Sequence, residues 1–563
     1  MSLVRLIIAS LVYHWRMHTA VGAGVAAATA VLTGALIVGD SMRGSLRDLT
    51  LERLGRVDEA LVADRFFRAD LAGELARRPK FKDFFAGAVP AVLLDASLEN
   101  PSSGERRRVN RVNLVGAGEE FWKLGHGGPK RQPQGREIVI NAPLAEQLGV
   151  GVGDAVILRL PRITAIPAAT PLGRKTETVA GHRLAVSEIV AAEGMGRFAL
   201  RPDQRLPRNA YVSLSWLQDR LEQSGRVNAI LVSDSAADVD PQPEAHAALE
   251  SLLKPVPVDL GLRMEAAKAG YFNITSQRML IEPPLESALE KALEGADVQP
   301  AFTYLATAIS RGEREVPYST ITAMDFAAAP PLGPMVTPEG EIIKPLGDNQ
   351  IVLNAWAAER LRAKPGDAIR VSYFEPESAD GKVREQTTEF QLAAVAAMNS
   401  AAADPELTPA VAGVTDQVSM ADWDPPFPFD PKRIADEDEA YWDEHRAAPK
   451  AFVSLTTGRR LWGSRFGQTT SLRVKPGPRA SLLRLQQLEL PPGAAGLVFQ
   501  PVKRQGLAAS AGTTAFNGLF LGFSFFIIGS AVLLVTLLFR LGVEGRARQL
   551  GVLMALGFAR PRV

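Results

Sequence analysis

The sequence predicts an α+β region made of two tandem repeats, flanked by two transmembrane α-helices. Three observations lead there. The stretch REIVINAPLAEQLGVGVGDAVILRL (Arg136–Leu160) matches NQIVLNAWAAERLRAKPGDAIRVSY (Asn349–Tyr373) without a gap, at a constant offset of 213. No Lys, Arg, Asp or Glu occurs between Met17 and Gly39, a run of 23 residues. None occurs between Gln505 and Phe539 either, and that stretch closes on the apolar text FNGLFLGFSFFIIGSAVLLVTLLF. About 20 apolar residues, at a rise of ~1.5 Å each, cross the hydrocarbon core of a bilayer.

Residues 1–16, with Arg5, His14 and Arg16 interrupting the apolar residues, read as an amphipathic helix on the cytoplasmic surface. Residues 17–39 form the first span. Its small residues, Gly22, Ala26, Ala30 and Gly34, recur every fourth position, a spacing that lets another helix approach closely. A plain anchor is the other reading of the same text. Residues 513–540 form the second span and 541–563 a basic amphipathic segment. Arg5 and Arg16 precede the first span; Arg540, Arg546, Arg548, Arg560 and Arg562 follow the second. Positive flanks stay in the cytoplasm, so the mass between the spans is expected outside it.

That mass is the duplication. The first repeat is expected within 41–240, centred on Arg56–Ser235, and the second within 260–480, centred on Gly270–Lys475. A return linker follows at 481–512. In both copies a short β-branched run leads to an asparagine, Asn141 or Asn354, placed to cap the next helix. A glycine, Gly153 or Gly366, then sits where a turn must precede a strand. Each repeat is expected to hold mostly antiparallel strands with a few helices on one side. Two insertions distinguish the copies. Residues 161–182 read as a hairpin excursion or a mobile loop. Residues 403–450, rich in proline, acids and aromatics, read as a long loop clamped to its own domain by Trp423, Phe427, Phe429, Tyr441 and Trp442.

Composition excludes several functions. With 63 basic and 62 acidic residues, the chain has no basic excess for a nucleic-acid surface. With no cysteine it has no thiolate nucleophile, disulfide or cysteine-ligated zinc. No G-x-x-x-x-G-K-[ST] text is present to cradle ATP, and no G-x-S-x-G text to present a serine nucleophile. The acids of the second insertion lack the D-x-D-x-D-G order of a calcium loop. No catalytic residue, metal or cofactor is therefore expected, and the chain is not expected to be an enzyme.

The one specific signature lies after the second span. EGRARQLGVLMALGFAR (Glu544–Arg560) resembles the cytoplasmic helix of FtsX-like (MacB/LolC-type) ABC transporter permeases, typically R-x-R-E-I-G-x-L-x-A-L-G. Arg546, Arg548, Leu550, Gly551, Leu553, Ala555, Leu556 and Gly557 match; Gln549 replaces the usual acid, and Met554 stands where a basic residue is common. The resemblance implies a MacB periplasmic-core-like fold for the outer region and a permease subunit of a bacterial inner membrane. It implies a separate P-loop ATPase seated on that helix, and pairing with a second permease, alike or different. It further implies mechanotransmission to an envelope protein or lipoprotein, with lipid around the spans. The family carries more than two spans, so stopping at Val563 implies a truncated chain. Apart from the resemblance, a two-span scaffold that recruits an envelope protein without transport is the competing expectation.

Overall fold

A computed structural model describes residues 3–102, 107–160, 180–201, 203, 205–234, 243–377, 384–411, 413–425, 427–478, 480–510 and 516–557. The insertion at 161–182 falls mostly outside these residues, as do Arg560 and Arg562. The chain divides into two units, one comprising Met1–Gly55, Ala199–Gln204 and Val502–Val563, the other Arg56–Phe198 and Arg205–Pro501.

The first unit begins with α1 (Leu3–Tyr13) and α2 (Trp15–Leu54). Helix α2 contains the charge-free run and continues through residues 41–54, where the sequence placed the start of the first repeat. The reason is local: SMRGSLRDLTLERL contains no proline and many good helix formers, and the helix stops only at Gly55, with φ of 58°.

The second unit carries the duplication. Its first copy runs β1 (Val57–Arg68), α3 (Asp70–Ala76), α4 (Phe81–Phe84), β2 (Phe85–Asn100), β3 (Arg107–Ala117) and α5 (Glu119–Trp122). It continues with β4 (Glu137–Asn141), α6 (Ala142–Leu148), β5 (Ala155–Leu160), β6 (Ala180–Val190), β7 (Asn209–Ser213), α7 (Leu214–Arg220) and β8 (Arg226–Asp234). Between the copies lie α8 (Pro243–Leu252) and β9 (Leu262–Ala266). The second copy runs β10 (Phe272–Ser276), α9 (Pro283–Ala292), β11 (Val298–Arg311), β12 (Arg314–Met324), β13 (Gln350–Asn354) and α10 (Ala355–Leu361). It ends with β14 (Ala368–Phe374), β15 (Glu385–Ala396), α11 (Asp436–His445), β16 (Ala451–Val453), α12 (Leu455–Trp462) and β17 (Ser471–Val474).

Pairing for pairing, the copies correspond. Strands β2, β3, β7, β4, β6 and β5 pair in that order, and β5 returns to β2, so six strands close into a ring. In the second copy β11, β12, β16, β13, β15 and β14 close the same way, β14 returning to β11. The β3–β7 and β4–β6 pairs are parallel, as are β12–β16 and β13–β15; the other ring pairs are antiparallel. The sequence reading of mostly antiparallel strands therefore matches, and the closing of those strands into rings is what the structure adds. Closure depends on β2 and β11 being long enough to serve two neighbours. Residues 85–91 of β2 pair with β8, and a register shift at Ala96/Leu98 then lets its far end pair with both β3 and β5. Such a bulge bends a strand and raises its twist, which turns a sheet back on itself.

The ring interiors are read directly from alternation. Ile138 and Ile140, Val156 and Leu158, and Leu184 and Val186 lie two apart on their strands and are buried together. Ile351 and Leu353, Ile369 and Val371, and Phe390 and Leu392 repeat the arrangement. The capping asparagines do what their position predicts. Asn141 Oδ1 accepts from Leu144 N at 3.3 Å, and Asn354 Oδ1 from Ala357 N at 2.8 Å. Gly153 and Gly366 have φ of 93° and 98°, values a side chain would strain.

The chain joining the copies is tied back to the first. Asp259, fully buried, accepts from Arg68 Nε at 2.9 Å and Nη2 at 2.8 Å, and Arg65 reaches Glu282 at 2.6 Å. The stretch expected as a return linker holds α13 (Leu482–Gln486) and β18 (Phe499–Gln500), which adds to the edge of the first sheet on β1. The first unit then resumes with α14 (Val502–Ser510), α15 (Phe516–Glu544) and α16 (Ala547–Ala555).

Candidate functional site

The candidate site lies where α15 ends and α16 begins. Among the described residues one helix is long and apolar enough to cross a membrane, Phe525–Glu544, within α15. Phe525, Phe526, Val532, Leu533 and Phe539 on it are exposed, and a helix so apolar on its outer faces is stable only against lipid or another apolar surface.

Helices α2 and α15 pack antiparallel. Leu534 Cδ2 lies 3.8 Å from the position a Cβ on Gly24 would take, and a Cβ on Gly542 would meet Met17 Cε at 2.6 Å. A side chain at Gly24 would meet Leu534 at ordinary contact distance, whereas one at Gly542 would have to displace the flexible end of Met17. The stripe predicted for packing, Gly22, Ala26, Ala30 and Gly34, is exposed, and nothing lies within 4 Å of the Cβ positions of Gly22 and Gly34. Gly24, two residues along from Gly22, is on the face toward α15. Further on, the Cβ position of Gly506 in α14 lies 2.8 Å from Thr50 Cγ2, so α14 seats on the last turns of α2.

A two-residue turn, Gly545 and Arg546, separates α15 from α16. Arg546 links this turn to the N-terminal helices: its Nη1 donates to Ser10 Oγ at 3.3 Å, and its Nη2 lies 3.3 Å from His18 Nε2. Arg540 pairs with Glu544 one turn earlier at 3.0 Å, on the surface, where such a pair contributes little. Along α16, Leu550 and Leu553 are half-buried, whereas Arg548, Gly551 and Ala555 are exposed. Val552 is 59% exposed and Leu556 70%, and Gly557 follows at φ of 90°, a helix-terminating conformation. Of the predicted coupling residues, Arg548, Leu550, Gly551, Leu553 and Ala555 lie on the nine-residue helix α16, while Arg546 sits in the turn before it and Leu556 and Gly557 follow its end.

The sequence did not locate a second concentration of unusual chemistry, in the long insertion. Lys450 is buried with its ammonium 3.4 Å from Asp438 Oδ1, 4.5 Å from the ring centre of Trp356 and 4.8 Å from that of Tyr441. Burial pulls its pKa down to about 8, against the opposing pull of Asp438. Tyr441 itself accepts from Asn354 Nδ2 at 2.9 Å, so the insertion is fastened to the cap of α10. Trp423, Phe427, Tyr441 and Trp442 are all buried, which is the clamping expected of them.

Searches against family models and against curated proteins each return no match. Among solved structures, 36% of this chain is similar to 87% of the periplasmic region of MacB from Actinobacillus actinomycetemcomitans, at 15% identity and a TM-score of 0.23. Similarly, 35% of it covers 92% of the extracellular domain of the noncanonic ABC-type transporter YknZ from Gram-positive bacteria, at 11% identity and a TM-score of 0.23.

Proposed function

We propose that this chain is a permease subunit of an FtsX-like ABC transporter in a bacterial inner membrane. It acts as a transmitter of motion, not as an enzyme or a pore. A partner ATPase seats on α16. ATP-driven closure there shifts the packed pair α2 and α15 between two arrangements, and the duplicated region, held outside the cytoplasm, follows through its covalent joins at Gly55–Arg56 and Pro501–Val502. A second permease pairs with it through the exposed small residues of α2, and an envelope protein or lipoprotein is what the motion serves.

One observation carries this reading: the family-like text forms a short helix set off from α15 by a turn, with Val552 and Leu556 exposed and Arg546 bonded back to Ser10 and His18. An apolar stripe on a short helix with a basic rim suits a cleft on a globular partner. The test is co-purification with a co-expressed P-loop ABC ATPase from the same source. Leu553→Asp with Leu556→Asp is expected to abolish association while the thermal transition of the duplicated region stays put. Undiminished association overturns the role of α16. Association without any stimulation of ATP hydrolysis is the result expected of a scaffold, and overturns transmission.

A further inference from the structure

Three elements meet at Arg546, and their contacts leave its charge unanswered. From the turn between α15 and α16, its Nη1 donates to Ser10 Oγ of α1 and its Nη2 to His18 Nε2 of α2, both at 3.3 Å. Both partners are neutral as bonded: one is a hydroxyl, and the other an imidazole whose Nε2 must lack a proton in order to accept. Among the described residues no carboxylate reaches Arg546. Glu544 is the one acid in residues 1–18 and 540–563, and it pairs with Arg540 at 3.0 Å.

A guanidinium holds five N–H groups in one plane. Ser10 takes one from Nη1, His18 takes one from Nη2, and Nε is buried. One N–H on each terminal nitrogen is left over, a pair able to grip two oxygens of one anion. Ser10, His18 and Arg546 are each only partly buried, so the corner stays open to its surroundings. It lies at the end of the apolar helix. The close approach of Met17 to Gly542 sets the start of α2, with His18 next in the chain, against the last turn of Phe525–Glu544. A span that ends there ends among lipid headgroups. Tyr13 and Trp15, both exposed, are residue types that favour that depth, and Leu11, Val12 and Leu541 expose apolar surface on the adjoining turns.

We propose that Arg546, Ser10 and His18 form a site for the phosphate group of an anionic phospholipid in the cytoplasmic leaflet. The two remaining Nη hydrogens donate to two phosphate oxygens. The Ser10 hydroxyl, which accepts from Arg546, turns its own hydrogen to the phosphate, and His18 holds the guanidinium plane in place. The acyl chains lie along the exposed apolar residues, so one lipid fastens α1 to the turn before α16. This rests on the reading of α15 as a membrane span, and not on the seating of an ATPase on α16.

The experiment is native mass spectrometry of the full chain in detergent with two probes, dioleoylphosphatidylglycerol and dioleoylglycerol, which share their acyl chains and differ in the phosphate. A saturable phosphatidylglycerol adduct is expected, with dioleoylglycerol weaker. Arg546→Gln is expected to weaken that adduct about tenfold. Arg548→Gln, which removes an equal charge from an exposed position, is expected to leave it unchanged. An equal loss in both variants overturns the proposal, because it leaves only the general attraction of basic residues for anionic lipid. So does an adduct that ignores Arg546→Gln. Should Arg546→Gln shift the thermal transition, Arg546→Lys decides: it keeps the charge without the paired donors, and binding as tight as the unaltered chain's overturns the site. Inorganic phosphate is expected not to displace the lipid, and displacement makes free phosphate the ligand and overturns the lipid source. A chain that does not float with liposomes overturns the membrane reading of α15, whereas one that floats yet holds no phosphatidylglycerol overturns this site alone.

Discussion

Asn141 and Asn354 show how much one side chain can carry. Each is fully buried, caps a helix with its oxygen, and spends its amide N–H groups on distant acceptors: Gly196 and Pro207 for Asn141, Tyr441 and Pro449 for Asn354. Replacing Asn354 by Ala removes a cap worth about 1 kcal/mol and also strands buried groups, so a loss of about 2–4 kcal/mol is expected in thermal or denaturant unfolding. The neighbouring position carries the opposite opportunity. Arg362 holds φ of 48° at the end of α10, where its counterpart in the first copy is Gly149 at 65°. Arg362→Gly is expected to stabilise the fold by about 1 kcal/mol in the same assay, since a left-handed side chain is strained. Lys450 gives a pH dependence. Its folded pKa of about 8 lies below its ordinary 10.5, so between these values the unfolded chain binds more protons and stability rises with pH. The gain is fully expressed above 10.5 and lost as pH falls through 8. Burial raises the pKa of Tyr211, Tyr271, Tyr304 and Tyr441, which costs stability above their ordinary value of 10.0. The rise from Lys450 should therefore be read between about 8 and 9.5, and should vanish in a Lys450→Met, Asp438→Leu double variant.

At the scale of elements, packing overrules propensity. Helix α12 presents Gly458 to β12, and a Cβ there would lie 2.2 Å from Ala323 Cβ and 3.3 Å from the Trp462 ring. Helix propensity alone favours alanine by about 1 kcal/mol. Two short, rigid groups cannot move apart without shifting the helix, and overpacking of that kind costs about 1–3 kcal/mol. Gly458→Ala is expected to lower the unfolding midpoint, and a raised midpoint would show that α12 has room to retreat. The same contrast explains why the α2 stripe was legible but its direction was not. The spacing of Gly22, Ala26, Ala30 and Gly34 marks one face of a helix, yet which face meets α15 depends on where Leu534 and Met17 lie, some 500 residues apart in sequence from their partners on the other helix. Helix α16 was visible as text, whereas the turn that sets it apart from α15 and the Arg546 contact to Ser10 and His18 were not.

Across the whole molecule, duplication is the governing fact. Nothing in the repeated 25 residues required that six strands close, but as β2 closes on β5, so the comparably long β11, with a register shift at Ala306/Ala308, closes on β14. The chain joining the two copies is held to the first through a charged joint, in which Asp259 receives three bonds from Arg68, counting its backbone N–H, and one from Val256. Removing that carboxylate leaves a cation half-covered and two amides without an acceptor. Asp259→Ala is expected to cost about 2–4 kcal/mol and to increase proteolysis between the copies before either ring is cut. Simultaneous loss of all three would mean that the copies do not fold as separable parts.

The sequence by itself determined what depends on near neighbours: the repeat, its helix caps and glycine turns, the two charge-free runs, and the family-like text after the second. Each is a matter of local conformation or of apolar length. Only the tertiary structure decided the closing of the rings, the face of α2 that meets α15, the burial of Lys450 beside Asp438, and the meeting of Arg546 with Ser10 and His18. Those depend on contacts between residues far apart in the chain, where strand length, a single bulge or one missing Cβ selects among arrangements that the local text permits equally.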